Sequence, residues 1–474
     1  MNRYRPLVVI NIVGLTPSLL GAHTPHLNNL ARDGFLAPLD GSFPALTCSA
    51  QASMLTGTPP SSHGIVGNGW YFRDQAEIHF WRQSNHLVHG EKVWDAARRA
   101  NPNFTCAQLF WWFNMYAAVD YSVTPRPIYP ADGRKIPALY SHPAGLKAQL
   151  ETKLGAFPLF NFWGPTADIK SSQWIAACAR EVFDRQRPTL TLVYLPHLDY
   201  NLQRLGPDDA RIGEDVRAID AITGALIEHV RAAGADVLVV SEYEIERATG
   251  HVHINRVLRE HGLLAVHETL GFELLDAGAS RAFAVADHQI AHVYVQHAED
   301  LARVARLLAT TPGIDRVLDA PAQAAIDVGH ARAGELLAVA QPGHWFTYYY
   351  WLDDARAPDF ARTVDIHRKP GYDPAELFLD PALRAPKLRI AKRLLQKKLG
   401  LRMLLDVIPL DATLVRGTHG RLASDPAHGP LVIGTRREFA AERFAITDVK
   451  ALMLRHWTGD MPTMHSRTLA VGAS

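Results

Sequence analysis

The chain has 474 residues, too many for one small domain and enough for a large α/β core carrying an insert. A net charge of +1 gives no global attraction to a nucleic-acid polymer. Three cysteines, Cys48, Cys106 and Cys178, none in a CxxC pair, exclude a disulfide framework and suit a reducing compartment, so a cytoplasmic location is the expectation.

The first element is "PLVVINIVGL". Its apolar run, Leu7 to Val13, is too short to span a bilayer and reads as a buried parallel strand. "HTPHLNNLARDGF" follows, with Thr24 as the cap, Pro25 at the first helical position and Gly34 as the stop. The stretch "GSFPALTCSAQASMLTGTPPSSHGIVGNGWYF" then presents Thr47 just before a helical run. A threonine there is either a cap or a nucleophile. Core strands are expected at 105–113, 189–196 and 235–243. Between the last two lies a helix from Ile212 to Ala233, with Val216, Ile219, Ile222, Leu226 and Val230 at helical spacing. Alternation of strands and helices predicts a mostly parallel sheet sandwiched by helices.

After about residue 270 the elements become short and crowded: "AFAVAD", "IAHVYV", "AEDLARVARLLATT", "GIDRVLD" and "GELLAVA". They predict a small inserted α+β subdomain over 269–345, with the core formed by 1–268 and 346–474. Segment 384–402 carries eight basic residues and no acidic one. It is either a solvated helix face or a contact for anionic lipid or a phosphorylated substrate.

Four stretches together resemble the alkaline phosphatase superfamily, in its type I phosphodiesterase/nucleotide pyrophosphatase branch, with phosphonoacetate hydrolase nearby. They are the first strand with "HTPHLNNLARDG", then "FPALTCSAQASMLTGTPPSSHGIVGN", then "LVYLPHLDYNLQRLGP", and finally "GTHGRL". The resemblance implies an alkaline-phosphatase-like fold and a metal-dependent phosphoester hydrolase. Thr47 would be the nucleophile, passing through a phospho-threonine. Zinc or another divalent ion, one or two per site, would neutralise the phosphoryl oxygens and activate the hydroxyl. Asp199 and His419 would be ligands of one metal. The implied substrate is a small phosphorylated molecule.

The departures from the family pattern are specific. Val13 stands where the first strand is expected to end in a metal-binding Asp. Gln203 replaces the His of D-x-x-x-H. Glu242-Tyr243 replaces an Asp-His pair, and Ala50 replaces an Asn that holds phosphate. Glu242 and Gln203 can still offer oxygens to a metal. His197, Asp365 and His367 are candidate replacement ligands. Asn11, Trp112 and Asn114, at or beyond strand ends, are candidate substrate contacts. "DHQIAH" (Asp287, His288, His292) is left outside the site, and Arg368 and Lys369 are either phosphate partners or surface cations. Two alternatives to hydrolysis remain at this stage: a catalytically impaired protein that binds a phosphorylated ligand or partner, and a phosphoryl transferase.

Overall fold

The run Leu7–Ile12 is apolar on both faces except for Asn11, and all six residues are buried at the centre of a nine-stranded sheet. A strand with no polar face has to be covered on both sides, which is why it sits between two other parallel strands. The computed structural model describes residues 5–131, 135–401 and 403–458. Five strands run parallel in the middle, in the order Asp236–Val240, Leu7–Ile12, Leu190–Leu195, Cys106–Leu109 and Tyr121–Pro125. Leu139–His142 closes one edge antiparallel. On the other side Leu431–Gly434 returns antiparallel, followed by Phe35–Asp40 and Phe444–Ala445. The fold is the α/β sandwich expected, with the C-terminal return to the sheet.

The strand expected over 105–113 is shorter, Cys106–Leu109. Phe110 and Phe113 adopt φ of 66° and 54°, a left-handed backbone that a strand cannot continue through. The helix Pro25–Asp33 forms as read, but Thr24 does not cap it: its hydroxyl accepts from Gly21 N at 2.8 Å. The free N–H groups of His26 and Leu27 donate instead to the Asp220 carboxylate, at 3.1 and 2.9 Å. Asp220 is on the covering helix Ile212–Ala232, so one carboxylate both satisfies a helix start and fixes two helices on the same sheet face.

Within the segment read as an insert, Ala282–Asp287, Ile290–Val295, Leu336–Ala340 and Ile314–Leu318 pair antiparallel into a four-stranded sheet. Helix Ala298–Ala309 lies between the second and third of these in sequence. Its apolar core takes in Val252 to Leu264 and Phe346 to Tyr372, so chain on both sides of 269–345 contributes to it.

Candidate active site

The site lies where the parallel strands end. Asn11 is near the end of Leu7–Ile12, Asp199 follows Leu190–Leu195, and Glu242 follows Asp236–Val240. Open parallel sheets gather functional groups at this edge because the loops there converge. Thr47 opens helix Thr47–Thr56, whose ten residues are all buried. The helix ends at Gly57, whose φ of 67° is the left-handed conformation that glycine adopts at least cost.

The Thr47 hydroxyl lies 2.7 Å from the Tyr243 hydroxyl and also favours the ionised form of the Glu242 carboxyl beside it. Glu242 Oε1 accepts from Asn11 Nδ2 and from Gln51 Nε2, the latter at 2.7 Å. Gln51 Oε1 in turn accepts from the backbone N–H of Trp112 at 2.7 Å. One residue of helix Thr47–Thr56 thus ties Glu242 to the loop after Cys106–Leu109. Glu242 Oε2 and Asn11 Oδ1 have no hydrogen-bond partner. Burial raises the Glu242 carboxyl to about 8, its hydrogen bonds only partly opposing this.

Asp199 sits in the first turn of helix His197–Leu205, and Gln203 lies one turn on along the same face. Loss of solvent raises the Asp199 carboxyl to about 7, with the Gln203 amide favouring the ionised form. Asp199 Oδ1 is unpartnered. The Tyr372 hydroxyl donates to Gln203 Oε1 at 3.1 Å. His419 Nδ1 lies 2.8 Å from the Ala45 carbonyl, two residues before Thr47, which brings the C-terminal segment close to Thr47. The ring of Tyr243 stacks on His419, centroids 3.8 Å apart and planes within 7°. Burial lowers the His419 imidazole to about 3.

His288 was left outside the site by the sequence reading and is brought into it. Its ring lies 3.6 Å from that of His419 and 3.8 Å from that of Tyr372. It occupies the turn between Ala282–Asp287 and Ile290–Val295 with φ of 57°, and Gln289 N donates to the His419 carbonyl at 3.0 Å. Its neighbour Asp287 accepts from Asn68 N (2.7 Å) and Nδ2 (3.1 Å), while Asn68 Oδ1 accepts from Cys48 N at 3.0 Å. Asp287 therefore holds the start of helix Thr47–Thr56 through Asn68. The left-handed residue at "DHQ" is the one local signal that reading could have weighed; the stack of residues 288, 372 and 419 has none.

Other candidates have partners of their own. His197 Nε2 faces Asp215 Oδ1 at 3.0 Å, across to the covering helix. The Asp365 backbone N–H donates to Glu376 Oε1, and His367 Nδ1 is 3.4 Å from the Phe80 carbonyl. Among the described residues no hydrogen bond or ring contact joins His197, Asp365 or His367 to Thr47, Asp199 or His419. Asn114 Nδ2 donates to the Gln108 and Val123 carbonyls, tying two strands. Trp112 packs against Trp81, centroids 4.7 Å apart, with its Nε1 unpartnered. Lys369 is buried between Asp373 (2.7 Å) and Glu376 (2.8 Å) and is not free for a phosphate; Arg368 pairs with Asp359.

The donors do not fit the two-metal cage that the resemblance implies. Val13 is buried in the apolar core, Tyr243 spends its hydroxyl on Thr47, and Gln203 spends its oxygen on Tyr372. Among the described residues no three His, Cys, Asp or Glu side chains converge to hold an ion.

Comparison with known proteins gives a consistent picture. Residues 7–373 match the family described as type I phosphodiesterase / nucleotide pyrophosphatase. An uncharacterized pyrophosphatase/phosphodiesterase of Schizosaccharomyces pombe is 26% identical over 240 residues, 48% of this chain and 42% of that protein, so the match spans less than half of the relative's length. Human ectonucleotide pyrophosphatase/phosphodiesterase 5 shares the fold with a TM-score of 0.60 at 14% identity, over 98% of this chain and 97% of that one. Phosphonoacetate hydrolase from Sinorhizobium meliloti, in complex with phosphonoformate, gives 0.61 at 14% identity, over 96% and 97%. A murine structure of the same ectonucleotide enzyme, an inactive threonine-to-alanine variant in complex with AMP, gives 0.58 at 14% identity, over 95% and 94%.

Proposed function

The chain belongs to the type I phosphodiesterase / nucleotide pyrophosphatase family, and from that premise we propose that it hydrolyses a phosphodiester or pyrophosphate bond of a small phosphorylated molecule, with Thr47 as nucleophile. One observation carries the reading: the Thr47 hydroxyl, at a helix start on the carboxyl edge of the parallel strands, is held by Tyr243 at 2.7 Å with Glu242 beside it. Thr47 Oγ1 bonds to phosphorus as the bond to the leaving oxygen breaks; its proton passes to Glu242 in the ionised form, which gains population as pH approaches 8, and from there to the leaving oxygen. Water then cleaves the phospho-threonine and restores the hydroxyl. Tyr243 fixes the direction of the attacking oxygen. No step is assigned to a metal, because the ligand set does not fit one. AMP in a similar protein supports a nucleotide-sized phosphorylated substrate.

A second reading, a binding protein without turnover, is favoured by one feature: His288 packs at a tilt on His419 and stacks on Tyr372, whose hydroxyl donates to Gln203, so two of the residues expected to hold a cation are engaged within the protein. One experiment separates the two. Turnover of bis-p-nitrophenyl phosphate is followed for the wild type and Thr47→Ala, with AMP binding measured in parallel. Hydrolysis lost in the variant with binding kept supports the nucleophile. Binding without hydrolysis in both proteins leaves the second reading standing, and hydrolysis that survives the substitution removes Thr47 from the mechanism.

A further inference from the structure

The basic segment singled out in the sequence is absorbed by nothing at the active site. It forms helix Pro386–Lys398. One side of this helix is fastened to the body. Ile390 packs with the cluster of Ala375, Val407 and Ile408. Arg389 and Arg393 both grip Asp406. These contacts fix which way the helix faces.

The opposite side points to solvent and is apolar where an ordinary surface helix is polar. Leu388, Leu395 and Leu399 are 72%, 56% and 68% exposed. At 100° per residue they fall on one stripe with Lys392, at spacing i, i+4, i+7, i+11. Leu394 (50% exposed) lies nearer the fastened side, and Leu401 (57%) follows the helix. A lone exposed leucine needs no explanation, but a contiguous leucine stripe turned outward does. Around it the segment 384–402 carries eight basic residues and no acidic one.

We propose that this helix docks the chain on an anionic lipid surface, lying in the plane of the headgroups. Leu388, Leu395 and Leu399 enter the boundary between headgroup and acyl chain, and the exposed Lys392 and Lys398 reach outward to the anionic headgroups along their apolar stems. No helix among the described residues is long and apolar enough to cross a membrane, so the contact is interfacial. Charge chooses lipid over a second copy of the chain: a self-association through this face would press two strongly basic, acid-free segments together. It also chooses lipid over nucleic acid, whose phosphates would leave the leucine stripe in water.

The test uses the full chain and sucrose-loaded vesicles, one set of phosphatidylcholine alone and one containing about a third phosphatidylserine. The wild type is expected to sediment with the anionic vesicles only, and less as salt is raised. The triple variant L388Q/L395Q/L399Q is expected to lose binding by roughly tenfold or more, and K392E/K398E by several-fold. Thermal melts confirm that both variants remain folded, since every altered side chain is exposed. Wild-type chain left in the supernatant with anionic vesicles overturns the proposal. So does equal sedimentation of wild type and triple variant. A wild type that is dimeric by light scattering, and becomes monomeric in the triple variant, assigns the stripe to a second copy and overturns it as well.

Discussion

The Thr47 and Tyr243 hydroxyls share a 2.7 Å contact, and the Tyr243 ring is independently held by its stack on His419. Tyr243→Phe therefore removes the hydrogen bond and leaves the packing. One net hydrogen bond contributes about 1 kcal/mol, so hydrolysis is expected to fall roughly five- to tenfold with little change in melting temperature. A variant that loses all activity, or none, would show that Tyr243 does not act by positioning Thr47. Glu242 gives a prediction in pH. Its carboxyl titrates near 4.5 when unfolded and near 8 when buried in the folded chain. The folded state therefore favours the protonated form, so the group costs stability as pH rises from about 4.5, and that cost levels off above about 8. Glu242→Gln removes the titration and keeps an oxygen for Asn11 and Gln51. The variant is expected to gain on the wild type by about 1 kcal/mol or more per pH unit across this window. Urea midpoints of both proteins at pH 5 and pH 8 check it; a difference that does not change with pH refutes the account.

At the scale of elements, the site depends on how closely the strand Gly417–Thr418 approaches helix His197–Leu205. A Cβ on Gly417 would come within 2.1 Å of the Leu202 carbonyl oxygen, and Arg416 N donates to the Gln203 carbonyl at 2.9 Å. This approach sets the segment that leads into His419 beside the helix that carries Asp199 and Gln203. Gly417→Ala is expected to drive the two elements apart, costing roughly 1–3 kcal/mol of stability and most of the hydrolysis, read by urea unfolding and turnover. Unchanged stability would mean that the helix and strand slide without strain. The same scale shows what the sequence makes legible. Leu7–Ile12, Leu190–Leu195 and Asp236–Val240 are long β-branched runs, and burial on both faces leaves no other reading. The segment around Thr47 is equally plain, because one continuous stretch supplies the helix and its glycine breaker. Thr24 misled because its rival for the helix start, Asp220, comes from a distant helix. His288 and Tyr372 were missed for the same reason. Their stacking with His419 joins three segments with no common period, and only the turn of the antiparallel sheet carries one of them there. Lys369 looked like a surface cation because its carboxylate partners become neighbours only when 369–376 coils on itself.

For the whole molecule, buried titratable groups pull stability in opposite directions with pH. His63 and His419 are lowered to about 3, His292 to about 4, and His288 well below its ordinary value, all chiefly by burial. Each stays neutral in the folded chain but charges near pH 6.5 when unfolded, so each contributes stability that is complete above about 6.5 and is lost toward pH 4. Asp199 and Asp287, raised to about 7, and Glu242, raised to about 8, work the other way, costing stability as pH rises from about 4. His253, His367 and His456, also lowered to about 4, bring these imidazoles to seven against six raised carboxyls, the three above with Glu244, Asp365 and Asp373, so between about 4 and 6.5 acidification weakens the fold on balance. Between about 6.5 and 8 only the carboxyl cost still grows. The melting temperature is thus expected to peak near pH 6 to 7, to fall toward pH 4, and to decline gently to pH 8. A chelator is expected to leave this curve in place, since the described residues form no three-donor ion site. An ion held by Asp199 and His419 would instead ionise the carboxyl and stabilise the fold by mass action, most strongly at alkaline pH. A fall of several degrees on adding a chelator at pH 8, restored by zinc, would therefore show that donors sequestered in the hydrogen-bond network open to receive a metal. The same result would return activation of Thr47 to the ion rather than to Glu242.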